Sequence, residues 1–511
     1  MAFLLGADVG TSSLKVALYD EALRPVAQAR REYATRYPAP ACAEQDPEDW
    51  LRAFCAATRE VLGAPGIRSA EIAGVGIDGM SSLALPVDAD GVPLRPAMIW
   101  LDRRAREQAE HGRERFETRQ LAINGNRCDP SCFAPKAAWI RDNEPEVYRR
   151  AASFLHCNAY LVQRLTGAFT VDVSEAGLSL ICDIRTGQYA EELVGAWGLD
   201  RSKLPEVARC SDVVGRITSA MAAETGLAAG TPVIAGAMDN VAATVGLGLR
   251  MDGDSYIAAG TATNVGILKD APPRDGKGLV YHFGIDGRWL QNGGADCGGA
   301  GLLWFRNLLG NADLASLGEL GAGTACGEHP LLFLPYMAGQ RAPLWNDSTS
   351  GVILGITPGT ERRHLARMFM ESVALAARHV FEELCPARPS RAALTGGITN
   401  NPAWSQLFAD VTGMRLSPCA LPEVSTLGSA ILAGLGVGAF RDAGDALARI
   451  PPGQECLPDR GRSEYYAALY QIFSGAYCNV AASLRALDDL RRRGIQGRMR
   501  GRAEEATPIT L

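Results

Sequence analysis

The chain carries the same short pattern twice: a β-strand, a Gly-Thr turn and a second β-strand. The first copy lies in "FLLGADVGTSSLKVALYD" at the start of the chain and the second in "DSYIAAGTATNVGILKD" near its middle. Gly10-Thr11 and Gly260-Thr261 therefore occupy equivalent places in two hairpins about 250 residues apart. A supersecondary unit that recurs in this way predicts two related halves that face each other.

The first 62 residues predict regular structure clearly. Alternating β-favouring residues, broken by Gly, Asp or Pro, predict strands at 3–8, 14–20 and 24–31, which together form an antiparallel meander. A helix is predicted over 47–62, where apolar residues recur at helical spacing after Asp46 as N-cap and a first-turn proline.

Three later segments are also strongly patterned. "TPVIAGAMDN" predicts a buried strand that ends at Ala237, followed by a small-residue helix opened by Asp239. A helix is predicted over 360–384 with Thr360 as N-cap, and a last long helix over about 463–490 carries an apolar seam.

Length and composition exclude several classes of protein. A chain of 511 residues, 47% hydrophobic and 21% charged, is long enough for two or three globular domains. The net charge of −6 gives no basic surface for a polyanion, so nucleic acid is not expected as a partner. Thirteen scattered cysteines without a Cys-x-x-Cys pair, together with no signal peptide and no membrane span, predict a cytoplasmic location.

The first Gly-Thr turn has the chemistry of a phosphate site. Gly10, Thr11 and Ser12 can point backbone N–H groups and hydroxyls into one concavity, and Asp8 just before them can hold a hydrated Mg²⁺. An ordinary hairpin turn is the alternative interpretation. "GVGIDG" at 74–79 matches the dinucleotide fingerprint in letters only, because a strand rather than a helix is predicted after it.

Ordered motifs along the chain resemble the FGGY family of carbohydrate kinases. They include "GADVGTSSLK", "LRPAMIWLDRR", "GNRCDPSCFAPKAAWIRDNEPEVY", "AGAMDN", "AAGT", "FLPYMAGQRAPLWNDSTSGVILGI" and "LTGGITNNPAWSQLFADVTG". Within the family, the pattern is most similar to xylulokinase and its relatives. The resemblance implies an α/β fold of two ribonuclease-H-like domains, of the actin, hexokinase and Hsp70 type, that flank a deep cleft. It also implies ATP and Mg²⁺ as cofactors.

The resemblance divides the chain into an N-terminal sugar-binding domain (1–245), a C-terminal nucleotide-binding domain (246–490) and a basic polar tail (491–511). It also implies a role for individual residues. They are Asp8 for the metal; Gly10, Thr11, Ser12, Lys15, Gly260 and Thr261 for phosphate; Gly396, Gly397 and Asn400 for adenosine; Asp239 as catalytic base; and Met80, Ser81, Trp100, Asp102 and Asn240 for the sugar.

Physical chemistry agrees with the role implied for Asp239. Phosphoryl transfer needs positioning, charge neutralisation and a carboxylate that accepts the proton of the attacking hydroxyl. An exposed aspartate has a pKa of about 3.9 and is ionised at neutral pH, so no special tuning is expected. From the residues alone, Asp239 could instead be a helix N-cap, Trp100 a core aromatic and Lys15 a solvated strand residue.

The acceptor is less closely defined. Xylulokinases carry Gln-Met-His-Gly where this chain has "IDGMSS", so that Ser81 stands at the histidine. Xylulose, ribulose, another ketopentose, a tetritol or a related polyol therefore all remain open. An actin- or chaperone-like switch ATPase without a small acceptor is the alternative function, and a homodimer through the C-terminal seam is left open.

Overall fold

The computed structural model describes residues 2–260, 262–295, 299–310, 313–337, 344–346, 349–419, 421, 423–451 and 453–505. The strands are, in chain order, β1 Phe3–Val9, β2 Ser13–Tyr19, β3 Pro25–Glu32, β4 Glu44–Gln45, β5 Ile72–Gly79, β6 Leu85–Val87, β7 Ala97–Met98, β8 Ser153–Leu155, β9 Thr170–Asp172, β10 Cys182–Asp183, β11 Gln188–Tyr189, β12 Glu206–Ala208, β13 Val213–Arg216, β14 Pro232–Ile234, β15 Ala237–Met238, β16 Ser255–Ala259, β17 Thr263–Lys269, β18 Leu279–His282, β19 Trp289–Ala295, β20 Leu332–Leu334, β21 Val352–Leu354, β22 Arg391–Thr395 and β23 Arg415–Pro418.

The helices are α1 Pro47–Leu62, α2 Arg106–Asn124, α3 Phe133–Asn143, α4 Pro145–Arg150, α5 Cys157–Thr166, α6 Val173–Leu178, α7 Glu191–Ala196, α8 Ser219–Thr225, α9 Asp239–Gly246, α10 Gly299–Leu308, α11 Leu314–Gly323, α12 Arg362–Leu384, α13 Pro402–Thr412, α14 Val424–Gly436, α15 Ala443–Leu447 and α16 Arg460–Glu505. Short 3-10 turns lie at Ser69–Glu71, Arg201–Lys203 and Gly397–Asn400. No described helix is long and apolar enough to cross a membrane.

The chain forms two compact units that are each built from separated segments. Unit 1 contains Met1–Asp254, Ile267–Gln291 and Ala420–Pro452. Unit 2 contains Ser255–Gly266, Asn292–Cys419 and Gly453–Leu511. The units differ from the continuous division predicted at residue 245, because the chain returns to unit 1 through α14 and α15.

Unit 1 is built on a mixed sheet in the order β13-β14-β5-β1-β2-β3, with β15 also paired to β5. β1, β2 and β3 form the predicted antiparallel meander, whereas β5 runs parallel to β1 and β15 runs parallel to β5. Since side chains alternate along a strand, Leu5, Ala7 and Val9 share a core with Trp50 and Phe54 of α1.

The opposite face of this sheet is covered by α14 at very close range. A Cβ on Gly6 would stand 1.8 Å from the Thr426 carbonyl oxygen, and one on Gly76 would stand 2.1 Å from that of Ser429. A Cβ on Gly428 would likewise stand 1.7 Å from the carbonyl oxygen of Ala242 in α9. The small residues of these segments therefore let helix and strand backbones touch.

Unit 2 contains a sheet in the order β19-β17-β16-β22-β23, in which β16, β22 and β23 run parallel. Its core gathers aromatic and aliphatic side chains of α12, α13 and α16, among them Phe369, Phe408 and Phe473. The apolar seam predicted for the last helix is confirmed in this core, while Leu487 near its far end is 48% exposed.

Three details differ from the expectations. The strand predicted to end at Ala237 is interrupted, because Gly236 has a φ of +88°. The N-cap of α12 is Glu361, which forms a capping box with His364, and the hydroxyl of Thr360 instead accepts the Thr357 N–H at 2.9 Å. The last helix is longer than predicted, since it begins at Arg460 and continues to Glu505.

Candidate active site

Three carboxyl groups of unit 1 come together where neighbouring parallel strands end. Asp8 of β1 lies opposite Asp78 of β5, and Asp78 in turn lies opposite Ala237 of β15. Asp239 follows β15 directly as the first residue of α9. Parallel strands lie about 4.8 Å apart, so the register brings the carboxyl groups to one edge of the sheet.

Asp8 and Asp78 share a hydrogen bond within a buried environment. Asp78 is completely buried and Asp8 is 8% exposed. Burial raises the pKa of both groups, and the charge of Asp8 raises that of Asp78 further. Asp78 therefore favours its protonated form beside Asp8, and its Oδ2 atom accepts a hydrogen bond from the Ser429 hydroxyl at 2.6 Å.

Asp239 does not have the ordinary pKa that the sequence suggested. Burial and the negative charge of Asp8 raise its pKa to about 7, against a smaller lowering by the Asn240 N–H, which donates to Oδ1 at 2.6 Å. The expectation that Asp239 has an ordinary pKa was wrong. The sequence could not show that the charge of Asp8, about 230 residues earlier, lies beside it. A carboxyl group that titrates near neutral pH is well matched to general-base catalysis.

Taking Asp239 as the base that the FGGY resemblance implies, we infer a pH dependence from this pKa. Only the deprotonated form of Asp239 accepts a proton, so kcat/KM is expected to rise as the pH increases through about 7 and then to level off. At one pH unit below that pKa, about one tenth of the plateau is expected. Steady-state rates across this range measure the profile, and a flat profile down to about pH 5 would contradict it.

The turn after β1 is held from several sides. The Trp100 indole donates to the Thr11 hydroxyl at 3.0 Å, and the Gln45 amide donates to the Thr11 carbonyl at 2.6 Å. The Gly10 N–H is used within the turn, where it donates to the Ser13 carbonyl at 3.1 Å. Among the described residues, the N–H groups of Thr11 and Ser12 find no acceptor, so two donors of the predicted nest remain for a ligand.

Lys15 lies beside this turn and not in open solvent. Its Nζ atom is 2.8 Å from Glu423 Oε2 and 3.6 Å from Asp8 Oδ2. Burial lowers the pKa of Lys15, but the two carboxylates outweigh that effect and raise it. Lys15 therefore stays charged next to Asp8, and Glu423 is a member of this cluster that the sequence did not reveal, since it comes from the distant loop before α14.

The residues predicted for the sugar lie near the ends of β5 and β7. Met80 is buried, Ser81 is half-buried and donates its hydroxyl hydrogen to Glu175, and Asn240 is half-buried beside Asp239.

Lys136 is a buried charged residue near this segment for which the sequence predicted no role. Its buried ammonium donates to the carbonyls of Ser82 and Ile99, each at 2.8 Å, and burial lowers its pKa to about 7.

Asp102 is fully buried, and both of its carboxylate oxygens are engaged within the chain. Oδ2 accepts the Ala43 N–H at 2.7 Å, and the Arg104 guanidinium binds both oxygens, with Nε 3.0 Å from Oδ1 and Nη2 2.7 Å from Oδ2. A sugar contact by Asp102 stays a prediction, and in this structure the carboxylate orients Arg104.

Unit 2 contains a cavity of about 610 Å³ that brings together several residues predicted for the nucleotide. Gly260, Gly397 and Asn400 line it, whereas Thr261 lies outside the described residues. The other walls are mostly apolar and include Leu302, Phe305, Leu317, Phe369, Met370, Val373, Ile398 and Trp404. A mostly apolar cavity with a few polar lining residues fits a flat aromatic base that carries polar substituents.

Gly396 shapes the turn beside this cavity. Its φ is +96°, and a Cβ would stand 2.3 Å from the Ala259 carbonyl oxygen at the end of β16. A Cβ on the next residue, Gly397, would meet nothing within 4 Å. An alanine substitution at Gly397 is therefore a matched control for one at Gly396.

We expect G396A to lower the free energy of unfolding by about 1–3 kcal/mol, because the added methyl group collides with backbone. G397A is expected to change it by less than about 0.5 kcal/mol. Urea unfolding measures both variants. Equal stability of the two would contradict the close approach between Gly396 and Ala259.

Comparison with known proteins identifies the family. Residues 3–246 match the N-terminal domain of the FGGY family of carbohydrate kinases, and residues 255–437 match its C-terminal domain. The chain belongs to this family. It is a carbohydrate kinase, a phosphotransferase with an alcohol group as acceptor, and the predicted α/β fold of two actin- or hexokinase-like domains is confirmed.

The FGGY chain is similar to several characterised relatives along most of its length. It is 26% identical over 498 residues to the xylulose kinase of Bacillus subtilis, covering 96% of this chain and 100% of the relative. It is 28% identical over 449 residues to the glycerol kinase of Thermococcus kodakarensis, covering 86% and 89%. The solved xylulose kinase from Rhodospirillum rubrum is 29% identical with a TM-score of 0.86, covering 94% of this chain and 100% of that one.

Proposed function

We propose that this FGGY kinase transfers the γ-phosphoryl group of ATP to a hydroxyl of a ketopentose such as xylulose or ribulose, or of a small polyol. The observation that carries the proposal is Asp239. Its carboxyl group has a pKa of about 7 and lies at the same edge of the sheet as Asp8. Similarity to a xylulose kinase and to a glycerol kinase supports a small polyhydroxylated acceptor without choosing between the two.

Asp239 acts as the general base. As the acceptor oxygen forms its bond to the γ-phosphorus, the proton of that hydroxyl passes to the Asp239 carboxylate, and the bond from phosphorus to the β-γ bridging oxygen breaks. ADP leaves with the electron pair of that bond, and Asp239 returns its proton to water. Asn240 keeps the carboxylate oriented through its N–H.

Asp8 is proposed to hold Mg²⁺ through water. Within the described part of the chain, no group of three or more His, Cys, Asp or Glu side chains could hold a metal ion by itself. The carboxylate of Asp8 lies two residues before a turn whose Thr11 and Ser12 N–H groups find no acceptor in the described part of the chain. These groups fit an ion that takes one or two protein carboxylates and keeps its waters. When bound, Mg²⁺ neutralises phosphate charge.

The remaining ligand contacts are proposed from the same residues. Gly10, Thr11, Ser12 and Lys15 bind phosphate oxygens of ATP. Gly260 and Thr261 belong to the second phosphate turn, and the cavity of unit 2 near Gly396, Gly397 and Asn400 takes the adenosine. Met80, Ser81, Trp100, Asp102 and Asn240 surround the sugar. The cytoplasmic location and the homodimer stay predictions.

The experiment is ADP release with Mg-ATP over a panel of D-xylulose, D-ribulose, L-ribulose, erythritol, glycerol and gluconate, with the D239N variant alongside. One acceptor is expected to raise turnover far above the rate without acceptor, and D239N is expected to remove that increase. If ADP appears at the same rate with and without every acceptor, the proposed class of acceptor is wrong.

A further inference from the structure

Glu175 is a completely buried carboxyl group that the mechanism above does not use. It lies in α6, where Asp172 caps the helix by accepting the N–H groups of Ser174 and Glu175, each at 3.0 Å. Its Oε1 atom accepts the hydroxyl hydrogen of Ser81, and its Oε2 atom is 3.1 Å from His156 Nδ1. The side chain is thus held at Oε1 by a residue distant in sequence, whereas Oε2 and His156 Nδ1 have no hydrogen-bond partner among the described residues.

The same helix is tied to the strand that carries the catalytic base. The Met238 N–H, one residue before Asp239, donates to the Ser174 hydroxyl at 3.0 Å. Met238 lies opposite Gly79 in the parallel pairing of β15 and β5, so the segment from Gly79 to Ser81 leaves the sheet beside Asp239. Glu175 therefore anchors a hydroxyl that stands close to the reacting group.

Glu175 and its neighbour His156 both favour their uncharged forms. Burial, together with the neighbouring Asp172, raises the pKa of Glu175 well above its usual range. Burial and the charge of Lys136 lower the pKa of His156 to about 3. In the neutral carboxyl group, Oε1 still accepts the hydroxyl hydrogen of Ser81.

We propose that Glu175 is a positioning residue for the acceptor, which turns the Ser81 hydroxyl hydrogen away from the sugar so that the Ser81 oxygen accepts a hydrogen bond from a sugar hydroxyl. The proposal rests on the proposed function, because it takes Ser81 as a sugar contact. A buried carboxyl group is costly where it only fills space, and an apolar side chain of the same length would fill this space at lower cost.

Three variants test this role. E175M keeps the side-chain length and removes the acceptor, E175Q keeps an acceptor oxygen of the same shape, and S81A removes the hydroxyl that is positioned. We expect E175M and S81A each to raise KM for the acceptor about tenfold, the size of one well-placed hydrogen bond, with KM for ATP and kcat within about twofold of wild type. E175Q is expected to stay within about threefold of wild type for all three constants.

The double variant S81A/E175M separates positioning from a structural role. If Glu175 acts through Ser81, the double variant raises KM for the acceptor no further than either single variant. The proposal is overturned if the two effects multiply, or if E175M lowers only the melting temperature and leaves KM unchanged. If E175M does not fold, an unchanged KM in S81A overturns it.

The readouts also distinguish this proposal from the proposed function. The acceptors used are D-xylulose and D-ribulose, each with saturating Mg-ATP. If wild type phosphorylates neither these nor any other acceptor of the panel, the proposed function fails and this inference fails with it. If wild type is active and only the pattern among Ser81 and Glu175 variants differs, the positioning role alone is wrong.

Discussion

Replacing Asp239 by asparagine is expected to lower kcat by roughly 10²–10⁴-fold, the usual contribution of general-base catalysis. The amide keeps an oxygen that can accept the Asn240 N–H, so the start of α9 should retain its geometry. The amide cannot accept the hydroxyl proton, however, and the loss should therefore appear in kcat more than in KM. Coupled measurement of ADP release gives both constants.

Two controls make this result specific. D90N changes an exposed aspartate in the turn before Val92 and is expected to leave kcat within about twofold. Urea unfolding of D239N should match wild type or exceed it, because the substitution removes a half-buried carboxyl group that the charge of Asp8 disfavours. A kcat for D239N within about threefold of wild type would exclude Asp239 as the base.

The second large effect is expected for stability. In G428A, the new methyl group would stand 1.7 Å from the Ala242 carbonyl oxygen, so α14 must move away from α9. Overpacking against backbone costs roughly 3 kcal/mol or more where neither side can yield. Urea or thermal unfolding measures the loss, and a lower kcat should accompany it because α9 begins with Asp239.

G195A is the matched control for this glycine. Gly195 also lies in a helix of unit 1, α7, and a Cβ there would meet nothing within 4 Å. Alanine favours a helix over glycine by up to about 1 kcal/mol, so G195A should be as stable as wild type or slightly more so. If G428A were as stable as G195A, the close contact between α14 and α9 would be wrong.

Local sequence signals were enough for the elements that depend on neighbours in the chain. The meander of β1, β2 and β3 and the helix α1 lie where strand alternation, turn residues and the cap Asp46 predict them. The start of α12 was predicted one residue too early, with Thr360 as N-cap, because a threonine and a glutamate in succession can both cap a helix. The structure uses Glu361, since His364 completes the box from the other side.

The electrostatic properties of the site could not be predicted in the same way. Asp8 and Asp239 were found as carboxylates next to turns, but the pKa of Asp239 depends on a register between strands that are distant in sequence. Asp78 lies within "IDGMSS", yet its closeness to Asp8 and its raised pKa follow only from that register. Glu423 and Glu175 were not predicted, because neither belongs to a sequence motif that indicates a site.

The return of α14 to unit 1 governs how the protein can be made. The strands β1 and β5 leave the ribosome early, yet the helix that covers one face of their sheet, Val424–Gly436, follows only after the first two segments of unit 2, Ser255–Gly266 and Asn292–Cys419. Until then the sheet face that carries Gly6 and Gly76 is exposed to water or to other proteins. A nascent chain that stops before residue 424 therefore carries Asp239 on an unfinished sheet, and such a chain is a natural client for chaperones.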